Sequence, residues 1–333
     1  MQGHAADEFT LTFLTMDKRY ARQLLLDGVH VAIATRPEAI ALMVRADAVI
    51  SDHGLHVMQW LVGRSDIRFF DVWHGFGFKG HAYGDFRVLR HYDEAWVDSP
   101  LQAGFYRDRF GFDPAKVHAT GYARIDRLVR RDEDVAAIRR SLKLDAAGIG
   151  KLVLFAPTWK QEVATRSMYP FGLEADAFVT ALSTVAQRTG STILMRSHLN
   201  TGMAAVGSFQ RVMWLPATDY PDTEALLLAS DVLVADWSSI VFDWLLLARP
   251  TVFLDVPPPF THGHTLDGSY RYGEIVGSLD QLCRTLEHYL TDPAAYQTAH
   301  RDEAARIREA VFGSCADGRA AARCTQRLRR ALQ

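Results

Sequence analysis

The feature that most constrains this chain is a regular alternation of short apolar runs with helix-like stretches. In the first part of the sequence, the runs predicted as strands are 9–15, 29–35, 47–52, 67–73, 94–99 and 116–121, and the helices between them include 17–27, 37–46 and 100–110. Such alternation implies parallel strands with helices on both faces of the sheet. The sequence therefore predicts an α/β fold.

The alternation pauses in a charged stretch at 126–150, which we predict to be helical before it ends in glycine-rich coil, and then begins again. The later predicted strands are 151–158, 191–198, 211–216, 231–236 and 250–256, and the predicted helices are 174–189, 222–229, 239–248 and much of 294–333. We therefore predict two doubly wound, Rossmann-like domains at 1–130 and 151–312, a linker at 131–150 and a closing C-terminal helix at 313–333. Two such domains facing a cleft are the layout of a GT-B glycosyltransferase.

Composition limits the binding partners and the cellular location that can be expected of the protein. The 333 residues are 48% hydrophobic and carry a formal net charge of -2, so no overall basic field favours nucleic acid. No apolar run reaches about 18 residues, and no signal peptide precedes the first strand, which predicts a soluble or peripheral protein. Cys283, Cys315 and Cys324 fit no zinc-binding spacing. We expect reduced thiols in a cytoplasmic protein that needs no metal and no other cofactor.

The stretch "DVWHGFGFKGH" at 71–81 contains a G-x-G-x-x-G pattern, for which two interpretations compete. One is the phosphate-binding turn of a dinucleotide fold, supported by Asp98 at the end of the next strand, about 20 residues later. Against it, the strand before the loop is not the first of its sheet. The bulky Phe76 and Phe78 also stand where the backbone would have to approach a pyrophosphate.

The other interpretation centres on His74, which follows a predicted strand at the edge where open α/β sheets bind ligands. An imidazole with an unperturbed pKa of about 6.5 can accept a proton at neutral pH. The loop also holds Lys79, which a dinucleotide turn does not need. A lone loop histidine is otherwise an ordinary surface residue, and only the neighbouring motifs favour a base at His74.

The segment 232–254 gives the strongest signal for anion binding. A buried strand ends at Asp236, and Ser238 and Ser239 then open an apolar helix, which is typical of N-cap residues. The N–H groups at a helix N-terminus and two hydroxyl groups can bind phosphate oxygens. Simple capping is the alternative, but one serine would be enough for that.

Two more strand ends bring polar side chains to the same sheet edge. They are Arg196 and His198 in "RSHL", and Thr158, Trp159 and Lys160 in "APTWK". A guanidinium can bind phosphate through two hydrogen bonds, and a protonated imidazole can neutralise a leaving group. Three strands of one sheet thus deliver cations and hydroxyls to one edge, which favours a phosphate site there.

In this order the motifs resemble those of the CDP-glycerol glycerophosphotransferases of teichoic-acid and capsule synthesis. The matching segments are "WHGFGFKG", "TGYARIDRL" (120–128), "APTWK", "RSHL", 222–254 and "DGRAAARCTQRLRRAL" (317–332). The resemblance covers about residues 45–330. Three departures, Phe76-Gly77 for Thr-Pro, Ser197 for Pro and Trp237 for Tyr, bear on the exact donor and acceptor.

The resemblance implies a GT-B phosphotransferase that moves a polyol-phosphate from CDP-glycerol or CDP-ribitol to a hydroxyl group and releases CMP. The N-terminal domain would lie on the acceptor side and carry the catalytic loop, and the C-terminal domain would bind the donor. The implied catalytic residues are His74 and His198; the donor-binding residues are Thr158, Trp159, Lys160, Arg196, Asp236, Ser238, Ser239 and Asp243; the acceptor-loop residues are Trp73, Gly75 and Lys79.

The implied acceptor is a polyol-phosphate, a saccharide or a lipid-linked chain of the cell envelope. Residues 301–333 hold eight Arg and four acidic residues, which fits contact with the inner face of the cell membrane or, equally, a solvated helix face. No large N-terminal extension precedes the first domain, so we expect a single transfer rather than polymerisation. The alternatives are a GT-B sugar-nucleotide glycosyltransferase or epimerase, and an inactive scaffold of a polymer-synthesis complex.

Overall fold

The computed structural model of the chain describes residues 7–52, 59–75, 77–158, 169–196 and 207–333. In these ranges the strands are β1 Phe13–Thr15, β2 Val31–Ile33, β3 Ala48–Ser51, β4 Arg68–Asp71, β5 Glu94–Val97, β6 Val117–Ala119, β7 Leu152–Phe155, β8 Thr192–Arg196, β9 Val212–Leu215, β10 Val232–Ala235, β11 Thr251–Leu254 and β12 Glu274–Val276. The helices are α1 Lys18–Leu26, α2 Pro37–Val44, α3 Pro100–Asp108, α4 Asp126–Arg130, α5 Val135–Ser141, α6 Ala175–Thr189, α7 Thr223–Ala229, α8 Ile240–Leu245, α9 Leu279–Thr291, α10 Pro293–Phe312 and α11 Ala320–Ala331.

The predicted alternation is confirmed, because every predicted strand contains an observed one and the strands pair in parallel. The observed strands are shorter than the apolar runs; the run 9–15, for example, yields only the three residues of β1. Two elements had no prediction: β12, which is three residues long, and α9 after it. No helix among the described residues is both long enough and apolar enough to cross a bilayer.

Contacts between backbone positions divide the chain into two compact units. Unit 1 contains Met1–Gly75, Ala82–Asp126 and Val311–Gln333, and unit 2 contains Phe76–His81 and Arg127–Ala310. The domain limits predicted from the sequence, at residues 130, 150 and 312, stay a prediction. Within unit 2, the segment proposed as a linker contributes α5, whose Arg139 donates hydrogen bonds to the carbonyl oxygen of Ala229 and to Asp231.

Unit 1 is built on a four-stranded parallel sheet in the order β3-β4-β5-β6, and β1 and β2 form a separate parallel pair. One face of the larger sheet packs on an aromatic core that includes Phe86, Tyr106 and Phe110. On the strands β4 and β5, Phe70 and Trp96 are covered instead by Cys324 and Leu328 of α11. The last helix of the sequence thus covers strands that come from the first half of the chain.

Helix α11 is held on unit 1 by the "TGYARID" motif. The carboxylate of Asp126 accepts hydrogen bonds from the backbone nitrogens of Ala320 at 2.9 Å and Ala321 at 2.8 Å. The guanidinium of Arg323 donates to the carbonyl oxygen of Thr120 at 2.6 Å. Two motifs that lie almost 200 residues apart are therefore one structural joint, in which a carboxylate takes up N–H groups at the start of a helix.

Unit 2 is built on a six-stranded parallel sheet in the order β12-β11-β10-β7-β8-β9. From β7 the chain adds β8 and β9 on one side, and it then returns to place β10, β11 and β12 on the other. The direction of winding therefore reverses between the neighbouring strands β7 and β10. In open α/β sheets, ligands bind beyond the carboxyl ends of the strands at this switch point.

Candidate active site

The switch point of unit 2 brings together residues that the sequence placed at the ends of separate strands. Strand β7 ends at Phe155 and leads to Thr158, and its neighbour β10 ends at Ala235 and leads to Asp236. Strand β8, which ends at Arg196, pairs with β7 on its other side. The three predicted strand ends are thus adjacent in the sheet, in the order β10-β7-β8.

Asp236 joins the two central strand ends. It is 1% exposed, and its Oδ1 atom accepts hydrogen bonds from the backbone nitrogen of Thr158 at 2.7 Å, from the Thr158 hydroxyl at 2.6 Å and from the backbone nitrogen of Trp237 at 2.6 Å. One carboxylate oxygen therefore fixes the start of the turn 237–239. The Thr158 hydroxyl donates to Asp236, so this predicted donor-binding residue also has a structural partner.

The side chain of Ser239 does not cap helix α8. Ser239 occupies the N-cap position, but its backbone is helical, with φ -64° and ψ -17°, and its side chain makes no capping hydrogen bond. Capping needs an extended N-cap backbone that directs the hydroxyl at the next N–H groups. Simple capping, the alternative to ligand binding, is therefore not what the Ser239 hydroxyl does. Asp243, one turn into the same helix, is buried.

Arg196 is fixed at the end of β8. Its guanidinium donates to the carbonyl oxygen of Tyr220 at 2.6 Å and contacts the Thr223 hydroxyl at 3.4 Å. Burial lowers the pKa of Arg196 to about 10, and the charge of Glu224 acts in the opposite direction. At neutral pH the side chain therefore still carries its positive charge.

The second half of the glycine loop pairs with residues 263–265 inside unit 2. The backbone nitrogen of Gly80 donates to the carbonyl oxygen of Gly263 at 2.9 Å. The backbone nitrogen of Thr265 donates to the carbonyl oxygen of Phe78 at 3.0 Å. The Thr265 hydroxyl donates to the carbonyl oxygen of Lys79 at 2.6 Å. Lys79 is thus held through its backbone in a short antiparallel bridge.

Close packing explains two of the glycines in this loop. A Cβ atom at Gly77 would lie 2.8 Å from the Cβ of Ser239, and one at Gly80 would lie 2.4 Å from the carbonyl oxygen of His262. Phe78 is fully buried, with its ring 5.3 Å from that of Trp237 and 5.0 Å from that of Phe242. These two glycines are therefore explained by close packing, of Gly77 on the serine turn and of Gly80 on the backbone at 262–263, without a dinucleotide.

The first half of the loop belongs to unit 1 and holds His74. This residue is exposed, and its Nδ1 lies 3.1 Å from the carbonyl oxygen of Asp52. Because a carbonyl only accepts hydrogen bonds, Nδ1 carries the proton of the neutral ring, and Nε2 is the basic nitrogen. The arrangement therefore presents the tautomer that a general base at Nε2 requires.

Trp73 fixes the backbone next to His74. Its φ of 40° is uncommon for a residue with a side chain. Its backbone nitrogen donates to the buried carboxylate of Asp71 at 3.1 Å, and its ring lies 4.4 Å from that of His74. Strain of this kind is concentrated at functional sites. Gly75 follows as the last residue of this part of unit 1.

Three predicted site residues, Trp159, Lys160 and His198, lie outside the described residues. The prediction that His74 faces the serine turn across a cleft stays a prediction. One polar group near the turn was missed, because Arg271 stands in a loop without a motif; its guanidinium lies 3.8 Å from the centre of the Trp237 ring. Its sequence context, "SYRYG", gives no signal of this position.

Comparison with known proteins identifies related chains. The family model described as "CDP-Glycerol:Poly(glycerophosphate) glycerophosphotransferase" matches residues 1–330. The teichoic acid ribitol-phosphate polymerase TarL of Staphylococcus aureus is 25% identical over 302 residues, which are 82% of this chain and 52% of that protein. A teichoic acid poly(glycerol phosphate) polymerase of Staphylococcus epidermidis is 32% identical over 154 residues, which are 44% of this chain and 20% of that protein.

Among solved structures, the wall teichoic acid polymerase TagF matches 100% of this chain and 84% of its own, with a TM-score of 0.74 and 19% identity. This likeness confirms the predicted α/β, GT-B-like fold. The chain spans about half the length of the ribitol-phosphate polymerases TarK and TarL, which it matches over 51% and 52% of their sequences.

Proposed function

The chain belongs to the CDP-glycerol:poly(glycerophosphate) glycerophosphotransferase family, and we propose that it transfers a polyol-phosphate from a CDP-polyol to an acceptor hydroxyl group, releasing CMP. The observation that carries the proposal is the switch point of unit 2, where Asp236 ties the ends of β7 and β10 to a serine-containing turn. Nucleotides bind at this position in doubly wound sheets. The donor is CDP-glycerol or CDP-ribitol, because relatives of both kinds match the chain.

In the proposed donor site, Ser238 and Ser239 donate to the diphosphate, and Arg196 contributes positive charge. The Ser239 side chain makes no capping bond, which supports a role for its hydroxyl in binding. Thr158 and Asp236 act by positioning the turn, given their mutual hydrogen bonds. Asp243 and the residues outside the described ranges, Trp159, Lys160 and His198, complete the proposed donor set.

His74 is the proposed general base, and Trp73, Gly75 and Lys79 shape its loop. The basic Nε2 of the tautomer set by the carbonyl of Asp52 supports this role. His74 stands three residues before Gly77, which packs against Ser239.

In the proposed reaction, Nε2 of His74 takes the proton of the acceptor hydroxyl group. The acceptor oxygen forms a bond to the β-phosphorus, and the bond from that phosphorus to the bridging oxygen breaks. CMP leaves with the bridging oxygen, and Arg196 and His198 balance the charge that develops on it. Alignment and charge stabilisation supply most of the rate enhancement in phosphoryl transfer.

The proposed acceptor is a growing polyol-phosphate chain or a lipid-linked saccharide of the cell wall or capsule. We place the reaction in the cytoplasm, at the inner face of the membrane, where a lipid-linked acceptor would be reached. Relatives named as polymerases support repeated transfer. The sequence-based expectation of a single transfer remains the alternative.

The proposal is tested by incubating the purified protein with a panel of donors and a glycerol-phosphate oligomer as acceptor. We expect CMP, detected by mass spectrometry, with CDP-glycerol or CDP-ribitol and only when the acceptor is present. UDP-sugars and GDP-sugars serve as controls. Release of UDP or GDP would instead support a sugar-nucleotide transferase or epimerase, and no product from any donor would support the scaffold alternative.

A further inference from the structure

The guanidinium of Arg271 is buried beside the proposed donor turn. The side chain is 4% exposed, and its central carbon lies 3.8 Å from the centre of the Trp237 ring and 5.9 Å from that of Phe253. A cation over an indole face gains electrostatic attraction from the ring. That attraction replaces only part of the hydration that a buried charge loses.

Arg271 has few hydrogen bonds for a buried charge. Its Nη1 lies 3.5 Å from a carboxylate oxygen of Asp255, whose side chain is 65% exposed. Its Nε and Nη2 atoms are buried, and neither has a hydrogen-bond partner among the described residues. Burial lowers the pKa of Arg271, while the charges of Asp255 and Asp236 raise it. Buried charges are normally paired, so a guanidinium left so incompletely bonded needs an explanation.

The position of Trp237 links this cation to the donor turn. Trp237 lies between Asp236, which joins the central strand ends, and the two serines. Its indole nitrogen donates to the carbonyl oxygen of Val256 at 2.7 Å, which fixes the plane of the ring. Arg271 therefore supports the residue from which the turn continues to Ser238 and Ser239, and it places a positive charge beside that turn.

We propose that Arg271 is a positioning residue of the donor site, whose buried positive charge makes the site selective for a nucleoside diphosphate over the uncharged nucleoside. It acts through the Trp237 ring and through its field, without touching the reacting atoms. Charges interact more strongly where water is excluded, so a cation at this depth favours the diphosphate more than a surface cation would. This inference rests on the proposed function, since it assumes that the turn 237–239 binds the donor.

The test compares the affinities of CDP and cytidine, measured by calorimetry for the full chain and its variants. We expect Arg271→Met to weaken CDP binding about tenfold and to leave cytidine binding within about twofold. Arg271→Lys keeps the charge and loses the planar contact, so we expect it to retain most of the preference for CDP. Arg271→Gln is a second neutral variant, to be used if Arg271→Met does not fold.

Arg249→Met is the matched control. Arg249 is also partly buried, and it lies 6.0 Å from the centre of the Trp244 ring. It precedes β11 and so lies at the amino ends of the strands, whereas the turn 237–239 follows a carboxyl end. Its guanidinium donates to the carbonyl oxygens of Leu228 and Ser230. We expect this substitution to lower the melting temperature and leave the ratio of CDP affinity to cytidine affinity unchanged.

Three results would overturn the inference. An unchanged affinity ratio in a folded neutral variant of Arg271 would remove its role in selectivity while leaving the proposed function intact. An equal loss of CDP and cytidine binding would show a purely structural role. Wild-type protein that binds neither ligand would overturn the proposed function and the inference together.

Discussion

At the scale of single residues, the proposed chemistry depends on one backbone carbonyl. The carbonyl oxygen of Asp52 accepts from Nδ1 of His74 and so leaves Nε2 as the basic nitrogen. The strained backbone of Trp73, held by the carboxylate of Asp71, orients His74, the residue after it. A sequence can mark His74 as a candidate, but it cannot give the tautomer, because the carbonyl that sets it comes from another strand end.

We predict that His74→Ala lowers the rate of CMP release by about 10²–10⁴-fold, as expected for the loss of an aligned base. Affinity for CDP and the melting temperature should stay close to wild type, because His74 is exposed. The control is His91→Ala, which removes another exposed histidine of unit 1. Wild-type turnover in the purified His74→Ala protein would exclude this residue as the base.

At the scale of elements, local pattern predicted what each segment is and not where it packs. The apolar runs located the strands, since period and composition are local properties. The order β10-β7-β8 could not be read from the chain, because strand pairing is non-local. For the same reason Arg271 was missed, and the sequence left capping of α8 by Ser239 open as an alternative. The first depends on stacking with Trp237, and the second on a helical backbone at the N-cap.

The joint between Asp126 and helix α11 gives a prediction at this scale. Asp126→Ala leaves two buried N–H groups, those of Ala320 and Ala321, without their acceptor. We expect a loss of about 1–3 kcal/mol in local stability, measured as faster hydrogen exchange of residues 320–331.

Asp134→Ala is the control for this joint, because Asp134 caps α5 through a single bond to the backbone nitrogen of Ala136 at 2.9 Å. The loss of local stability in Asp134→Ala should be smaller, about 1 kcal/mol or less, and confined to α5. Equal exchange of residues 320–331 in wild type and Asp126→Ala would show that the closing helix is held by its apolar contacts alone.

At the scale of the whole molecule, neither unit is a continuous piece of sequence. Unit 1 receives Val311–Gln333 from the far end of the chain, and unit 2 receives Phe76–His81 from within the stretch that builds unit 1. A linear domain scheme cannot express this exchange, because it follows from contacts between distant residues. The segment with Phe78 is therefore expected to stabilise the unit that holds the proposed donor turn.

We predict that Phe78→Ala destabilises unit 2 by about 3–5 kcal/mol, the usual cost of removing a buried phenylalanine. Hydrogen exchange should accelerate in α8 and around Trp237, because the rings of Phe242 in α8 and of Trp237 pack on Phe78. Trp60→Ala is the control, because that side chain is 58% exposed. Unchanged exchange in unit 2 would mean that the segment with Phe78 contacts this unit without stabilising it.

The return of α11 to unit 1 has a consequence for biosynthesis. Phe70 and Trp96, which α11 covers, are synthesised 250 and 224 residues before the helix begins at Ala320. At a synthesis rate of roughly 5–20 residues per second, this apolar surface stays uncovered for about 11–50 s, during which the whole of Arg127–Ala310 is made. The nascent chain is therefore expected to depend on chaperones in that interval, and a stop codon shortly before residue 320 should produce an aggregating protein.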